Sequence, residues 1–200
     1  MSSHYYSEKQ TSALKIKKIN AFLRGNKLEF FTASGIFSKD RIDKGTVILI
    51  NSCIINDNWS ILDLGCGYGA VGISINKSFP KTSITISDIN ERALKLAEMN
   101  VKINNINNDS IKIIKSDGFN KIKEKFNTIL VNPPQTAGKD ICFKLISDSK
   151  NHLKEKGLLQ LVARHNKGGE VLSKNMKQVF GNVAEITKKS GYRVYVSENT

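Results

Sequence analysis

Apolar residues along this chain fall into short runs broken by glycines and polar clusters. From Ser60 onward, strand-like runs alternate with segments that are apolar at helical spacing, the pattern of a parallel α/β sheet with crossover helices. It predicts strands at Ile61–Leu64, Ser83–Ser87, Ile111–Lys115, Thr128–Val131 and Leu158–Val162, with helices around 69–78, 91–104, 139–155 and 169–180. In the second helix Ala93, Leu94, Ala97 and Val101 share a face and Asn90 is placed to cap its start. Leu172, Met176, Val179 and Phe180 mark the last helix, which Gly181 stops. Val183–Lys188 and Tyr192–Val196, separated by Ser190-Gly191, read as a closing hairpin.

Before residue 60 the pattern is less regular. Residues 11–24, with Leu14, Ile16, Ile19, Phe22 and Leu23 set among lysines, read as a short amphipathic helix or a mixed segment ended by a turn at Gly25-Asn26. Leu28–Thr32 reads as a strand and Ser34–Ser38 as a loop. Asp43 to Ile55 reads as a helix, although its many β-branched residues favour a strand.

Two hundred residues, 40% of them apolar, are enough for one α/β domain with its own core. The expected organisation is a single domain, 1–200, in which residues 1–57 form an N-terminal extension that caps substrate and cofactor, and 58–200 form the cofactor-binding core. No apolar run is long enough to span a bilayer, and the polar start Met1-Ser2-Ser3-His4 lacks a signal-peptide core; a cytoplasmic protein with no membrane partner is expected. Cys53, Cys66 and Cys142 are widely spaced and form no metal-ligand pattern with His4, His152 or His165, so reduced, structural thiols and no metal are expected.

Charge adds a partner to this picture. The net charge is +13, and Lys/Arg outnumber Asp/Glu nine to four in residues 1–50 and ten to four in residues 150–200, against twelve to ten between them. Basic flanks around a nearly neutral middle fit a polyanion approaching from outside, since phosphate contacts supply most nonspecific affinity for nucleic acid. Lysine runs of this kind also occur simply as solvated surface.

The candidate chemistry centres on Ile61-Leu62-Asp63-Leu64-Gly65-Cys66-Gly67-Tyr68-Gly69-Ala70, an apolar strand breaking into alternate glycines ahead of a helix. Gly65, Gly67 and Gly69 let the backbone approach a ligand, and a helix N-terminus beyond them offers unpaired N–H groups. Gly65, Gly67 and Ala70 also satisfy the dinucleotide spacing. Asp63, two residues before the first glycine, tilts the reading away from a pyrophosphate and toward a cationic amino-acid moiety such as that of S-adenosylmethionine. Asp88, at the end of the next strand, has two acceptor oxygens for a pair of ribose hydroxyls. Asn132-Pro133-Pro134 ends a further strand and has no role in hydride transfer. An exocyclic purine amine is a weak nucleophile because its lone pair is delocalised. The Asn132 side-chain oxygen and the Pro133 carbonyl, made rigid by proline, can each take one N–H and favour a pyramidal nitrogen. The competing reading is an ordinary N-P turn.

With these motifs assembled, the sequence resembles the class I S-adenosylmethionine-dependent methyltransferases, and within them the small-domain family that includes bacterial ribosomal RNA guanine-N2 methyltransferases and shorter archaeal relatives. The resemblance spans nearly the whole chain. It is carried by Gly35-Ile36-Phe37-Ser38, Asp43-Lys44-Gly45-Thr46, the glycine loop, Asp88-Ile89-Asn90, Asn132-Pro133-Pro134 with Gly138-Lys139, and Gly191-Tyr192-Arg193-Val194. It implies a Rossmann-like fold: a mostly parallel seven-stranded sheet, helices on both faces, and a C-terminal antiparallel hairpin.

The resemblance also implies roles. Asp63, Gly65, Gly67, Gly69, Asp88, Ile89, Asp117, Gly118 and Phe37 would hold S-adenosyl-L-methionine, with Asp117 accepting from the adenine amino group and Phe37 near the methyl donor. Ile89 and Phe119 would wall the adenine, or else serve as core. Asn132 and Pro133 would be catalytic, and Pro134, Gln135 and Arg164 would touch substrate, with His165 and Lys167 beside them. Position 135 departs from a common pattern, an aromatic residue that stacks the base; here Gln135 stands there, and Phe37, Tyr5 or Tyr6 would have to hold the base instead. The expected activity is methylation of an exocyclic amine of RNA, guanine N2 of ribosomal RNA first, by a monomer or homodimer. A tRNA base or a protein glutamine stays open as acceptor, as do, from other classes, a nicotinamide-dependent oxidoreductase and a non-catalytic RNA-binding module.

Overall fold

The computed structural model describes residues 15–34, 40–133 and 138–200. The described chain enters as an antiparallel hairpin of β1 (Ile16–Leu23) and β2 (Asn26–Ala33), followed by α1 (Lys44–Ser52). Then come β3 (Ser60–Leu64), α2 (Ala70–Ser78), β4 (Ser83–Asp88), α3 (Glu91–Ile103), β5 (Ile111–Lys115), β6 (Phe126–Val131), α4 (Lys139–Asn151), β7 (Leu153–Arg164), α5 (Gly169–Phe180), β8 (Ala184–Lys189) and β9 (Tyr192–Glu198). Strands β3 to β9 make one seven-stranded sheet in the order β5-β4-β3-β6-β7-β9-β8, in which only β9 runs against its neighbours.

Alternate strand residues serve two cores, one on each face. Ile61, Leu130 and Val162 face the cluster shared with the β1–β2 hairpin, α1, α2 and α3, while Leu62, Ile129 and Leu161 face α4 and α5. Burial of both faces explains why the central strands are nearly unbroken apolar runs. The capping and hairpin expectations hold. Asn90 Oδ1 accepts from the backbone N–H of Arg92 at 2.9 Å, and Ser190-Gly191, at φ 50° and 79°, turns β8 into β9.

Residues 11–24 are a correction: their described part is the strand β1, not a helix. Ile19 and Leu23 are buried, and a spacing of four keeps residues on one face at either period, 2 or 3.6. Phe22, which a helical stripe would bury, is 70% exposed. A second correction concerns the expected helix 139–155 and strand Leu158–Val162. The helix ends at Asn151 and β7 begins at Leu153, with a register irregularity where Lys154–Lys156 loop out. Gly157 permits the return, since a Cβ there would stand 2.8 Å from the Lys154 carbonyl and 3.0 Å from that of Phe126.

Buried polar side chains tie the hairpin to the sheet layer. On α3, Asn100 accepts from Phe31 N–H and donates to the Phe31 carbonyl at 3.0 Å and to the Tyr68 carbonyl at 2.9 Å. One turn later Asn104 makes the same pair of bonds with Glu29. Two asparagines four apart on a helix thus pair with strand residues two apart, standing in for a neighbouring strand. Arg24, in the hairpin turn, donates to the carbonyls of Ile50 and Cys53 at the end of α1, where unpaired carbonyls and the helix dipole favour a cation. Cys53, Cys66 and Cys142 are buried and form no disulfide with one another.

Candidate active site

From β3 the sheet grows outward through β4 and β5 on one side and through β6 and β7 on the other. The β3/β6 junction is therefore the topological switch point, where ligands of open α/β sheets bind outside the strands' carboxyl ends. Leu64 and Val131 are register partners across it. The next residues, Gly65 and Asn132, emerge side by side.

The glycine loop is fixed from β4. The backbone N–H groups of Gly65 and Cys66 both donate to the Ser87 carbonyl at 2.9 Å, and that of Gly67 donates to Asp88 Oδ2 at 2.8 Å. Gly65 lies at φ 72° with open space where a Cβ would point, as a backbone approached by a ligand requires. Gly69 is closely packed: a Cβ there would come within 3.1 Å of Ile73 and 3.3 Å of Ala97.

Two carboxylates lie beneath this loop. Asp63 is 3% exposed, and its Oδ2 accepts from the Gly72 N–H at 2.9 Å, so it caps α2, whose first residue is preceded by a glycine with no side chain to do so. Gly72 makes room, since a Cβ there would overlap Ile86 Cγ2. Burial, with repulsion from Asp88 added, pushes the Asp63 carboxyl up to about 7 despite the opposing Gly72 bond. Asp88 accepts from Asn90 N–H on Oδ1 at 2.9 Å and from Gly67 N–H on Oδ2, and burial raises its carboxyl above the ordinary range. The Ile89 backbone bonds the same carboxylate, so three of its four lone pairs are engaged and one stays for a further donor. No basic side chain pairs with either carboxylate among the described residues. Two buried acids lacking a counter-ion fit a cationic ligand and would repel a pyrophosphate, which matches the ammonium and sulfonium of S-adenosylmethionine.

On the other side of the junction, Asn132 is half-buried and Pro133 buried. Asn132 Nδ2 donates to Thr46 Oγ1 at 2.9 Å and to Asp43 Oδ2 at 3.2 Å. Asp43 is also the N-cap of α1, its Oδ2 accepting from the Thr46 N–H at 3.1 Å. The Tyr192 ring closes over this turn at Gly45, where a Cβ would stand 2.9 Å from both the ring and Asp43 Oδ2. The Arg164 guanidinium lies 5.3 Å over the same ring, within cation–π reach. Asp43-Lys44-Gly45-Thr46, Asn132-Pro133 and Gly191-Tyr192, far apart in sequence, are thus one constellation.

Other anticipated residues are more loosely placed. Ile89 and Gly118 are half-buried after β4 and β5, and Asp117 is exposed. Phe119 belongs to the core, stacked on His152 with ring centroids 4.3 Å apart. His165 Nδ1 lies 2.8 Å from the Tyr195 hydroxyl. Phe37, Pro134, Gln135, Tyr5 and Tyr6 lie outside the described residues. Sequence reasoning missed Asp43, Thr46 and Tyr192 as site members; an aspartate three residues before a threonine ahead of an apolar run was the available signal for a capped helix. Among the described residues no group of His, Cys, Asp or Glu is arranged to hold a metal, and no helix is long and apolar enough to cross a membrane. A groove of about 790 Å³ between the hairpin and the far ends of α2 and α3 lies away from the strands' carboxyl ends.

Comparison with known proteins agrees with this geometry. Residues 27–196 match the family model described as Methyltransferase small domain. The chain is 36% identical over 197 residues to the uncharacterised protein YbxB of Bacillus subtilis, each covered to 97%. It is 32% identical over 157 residues to the ribosomal RNA small subunit methyltransferase C of Psychromonas ingrahamii, covering 76% of this chain and 44% of that protein. A T. thermophilus 16S rRNA N2 methyltransferase in complex with AdoMet and guanosine superposes with a TM-score of 0.80 at 18% identity, over 96% of this chain and 52% of the other. This chain thus spans about half the length of those ribosomal RNA methyltransferases. On the matched 27–196 and the shared fold, the chain belongs to the methyltransferase small-domain family, within the S-adenosylmethionine-dependent methyltransferases of Rossmann-like fold.

Proposed function

We propose that this methyltransferase modifies the N2 amine of a guanine in ribosomal RNA. The observation that carries the reading is Asn132 at the end of β6, beside the glycine loop, with both amide hydrogens engaged inward by Thr46 and Asp43. Its Oδ1 has no partner among the described residues and stands next to the buried Pro133. That oxygen and the Pro133 carbonyl are the two acceptors an exocyclic amine needs to localise its lone pair. S-adenosyl-L-methionine supplies the sulfonium-bound methyl group. Asp63 and Asp88 answer its positive charge and its ribose, and Asp117 with Ile89 and Gly118 lines the adenine. Residues 1–57 act as the cap of the core, their described part contributing Asp43 and Thr46.

A cationic edge supports RNA as the acceptor. Arg164 ends β7 and Lys167 follows it, Lys188 and Lys189 end β8, and Arg41 and Lys44 flank the start of α1; all six are exposed. Register places Arg164, Tyr192 and Lys189 across neighbouring strands, next to the Asn132 constellation. Phosphates flanking a bound guanine would meet this edge. A ribosomal substrate puts the enzyme in the cytoplasm.

The test is methyl transfer from tritiated cofactor into ribosomal RNA and assembled small subunits, followed by nuclease digestion. Label in N2-methylguanosine is expected, and its loss in Asn132→Ala assigns it to this site. Label in another nucleoside, in tRNA alone or in protein hydrolysate overturns the reading.

A further inference from the structure

We infer that Asp43 and Thr46 are positioning residues for catalysis: they hold the Asn132 amide in the one orientation that presents its oxygen to the target amine. The inference rests on the reading of Asn132 given above. A primary amide carries two donors and one acceptor, and its two ends are interchangeable in shape. Here the NH2 end faces Thr46 Oγ1 at 2.9 Å and Asp43 Oδ2 at 3.2 Å. Rotated by half a turn, the amide would set its oxygen against the Asp43 carboxylate, acceptor against acceptor. The carboxylate thereby decides the orientation, and the threonine hydroxyl fixes its angle.

The lock is itself held. Asp43 Oδ2 also accepts from the Thr46 N–H as the cap of α1. Gly45 allows the Tyr192 ring to close over it at a distance no other residue permits. The burden on the cap separates the positioning role from helix stability. Capping uses the Asp43 carboxylate and the Thr46 backbone; it makes no use of Thr46 Oγ1, which accepts from Asn132.

The arrangement also suits the charge that develops. As the nitrogen–carbon bond forms, the carbon–sulfur bond breaks with its electron pair on sulfur, the amine nitrogen becomes cationic, and a proton then leaves it for water. A carboxylate at the NH2 end of Asn132 polarises the amide and makes its oxygen more negative, so the N–H it accepts is held more firmly in the transition state than in the ground state.

Thr46→Val keeps shape and cap but removes the acceptor, and Thr46→Ser keeps the acceptor. The expected result for Thr46→Val is a fall of about tenfold to a hundredfold in single-turnover methyl transfer. KM for RNA, calorimetric affinity for S-adenosylhomocysteine and the melting temperature stay near wild type. Thr46→Ser restores most of the rate. An NMR readout independent of turnover is the Asn132 side-chain NH2, whose exchange protection is expected to drop in Thr46→Val and in Asp43→Asn. Wild-type turnover in Thr46→Val alongside a crippled Asn132→Ala overturns the inference and leaves the reading of Asn132 standing. So does unchanged Asn132 protection in both variants. Near wild-type turnover in Asn132→Ala overturns the reading beneath it.

Discussion

With Asp63 in the proposed cofactor site, its protonation is expected to couple cofactor affinity to pH. The carboxylate is 3% exposed and pushed up to about 7, chiefly by burial and further by Asp88, while its own Gly72 bond pulls the other way. If the cationic end of the cofactor binds the ionised form, binding must drive off a proton wherever that carboxyl is still protonated. At pH 6 about one-eleventh of Asp63 is ionised and at pH 7.5 about three-quarters, so affinity rises about eightfold between them, on the order of 1.2 kcal/mol. Asp88, raised in the same direction, adds to the slope. For the cofactor-free protein the sign is opposite. A carboxyl whose folded value lies above its unfolded one favours the folded state below the unfolded value, and that stability is lost as pH rises from 3.8 toward 7.

Isothermal titration with S-adenosylhomocysteine, in two buffers of different ionisation enthalpy, reads both affinity and proton release. Close to one proton released per ligand is expected at pH 6, and well under half at pH 7.5. Asp63→Asn, which keeps an oxygen for the Gly72 N–H, removes most of the pH dependence. Equal affinity at both pH values with no proton release in wild type would refute the assignment of Asp63 as the carboxylate that meets the ligand's charge.

Three further outcomes follow from contacts already described. Asn132→Asp keeps an acceptor but sets it against Asp43, so turnover drops to near the alanine level, and adding Asp43→Asn restores part of it; stopped activity in the double variant with an intact melting curve counts against the pairing. Replacing Lys188 and Lys189 by alanine lowers the slope of log RNA affinity against log salt by about 1.5 to 2 and leaves cofactor affinity unchanged; an unaltered slope removes them from the interface. Asn100→Ala strips partners from Phe31 and the Tyr68 carbonyl and destabilises by about 2–4 kcal/mol in urea unfolding, with wild-type stability as the contrary result.

The parts of the fold legible in the sequence were those where burial dictates pattern. Strands β3, β4 and β6 are buried on both faces, so their apolar runs stand out, and α3 and α5 bury one face and expose the other. The first hairpin was hard to read because Ile19 and Leu23 satisfy both periods while Phe22 faces solvent. Tertiary packing, not local preference, chose the strand: β2 needs Asn100 and Asn104 opposite its free edge. For the site, residues at strand ends could be listed from the alternation alone, as Asp63, Asp88 and Asn132 were. What each does locally could not. Asp63 turns out to cap α2, and Asn132 meets Asp43 and Thr46 across 89 and 86 residues, a separation at which spacing carries no signal.

Strand pairing sets the distance between donor and acceptor. Gly65 and Asn132 follow register partners on adjacent parallel strands, and such strands lie about 4.8 Å apart, so on the proposed reading a ligand on the loop and an amine at Asn132 would meet across one strand spacing. A reactive approach needs about 3–3.5 Å between the reacting atoms, which leaves no room for a register slip. Toward its start, β6 is pinned to β7. Thr128 on β6 donates to the Leu158 carbonyl at 2.9 Å and accepts from Gln160 Nε2 at 3.0 Å, and Gln160, fully buried, exchanges two bonds with the Ile54 backbone beyond α1. Through Gln160 the strand that carries Asn132 and the helix that carries Asp43 and Thr46 are fastened at their far ends. The orientation proposed for the Asn132 amide therefore draws on a buried polar network that also joins β6 to β7.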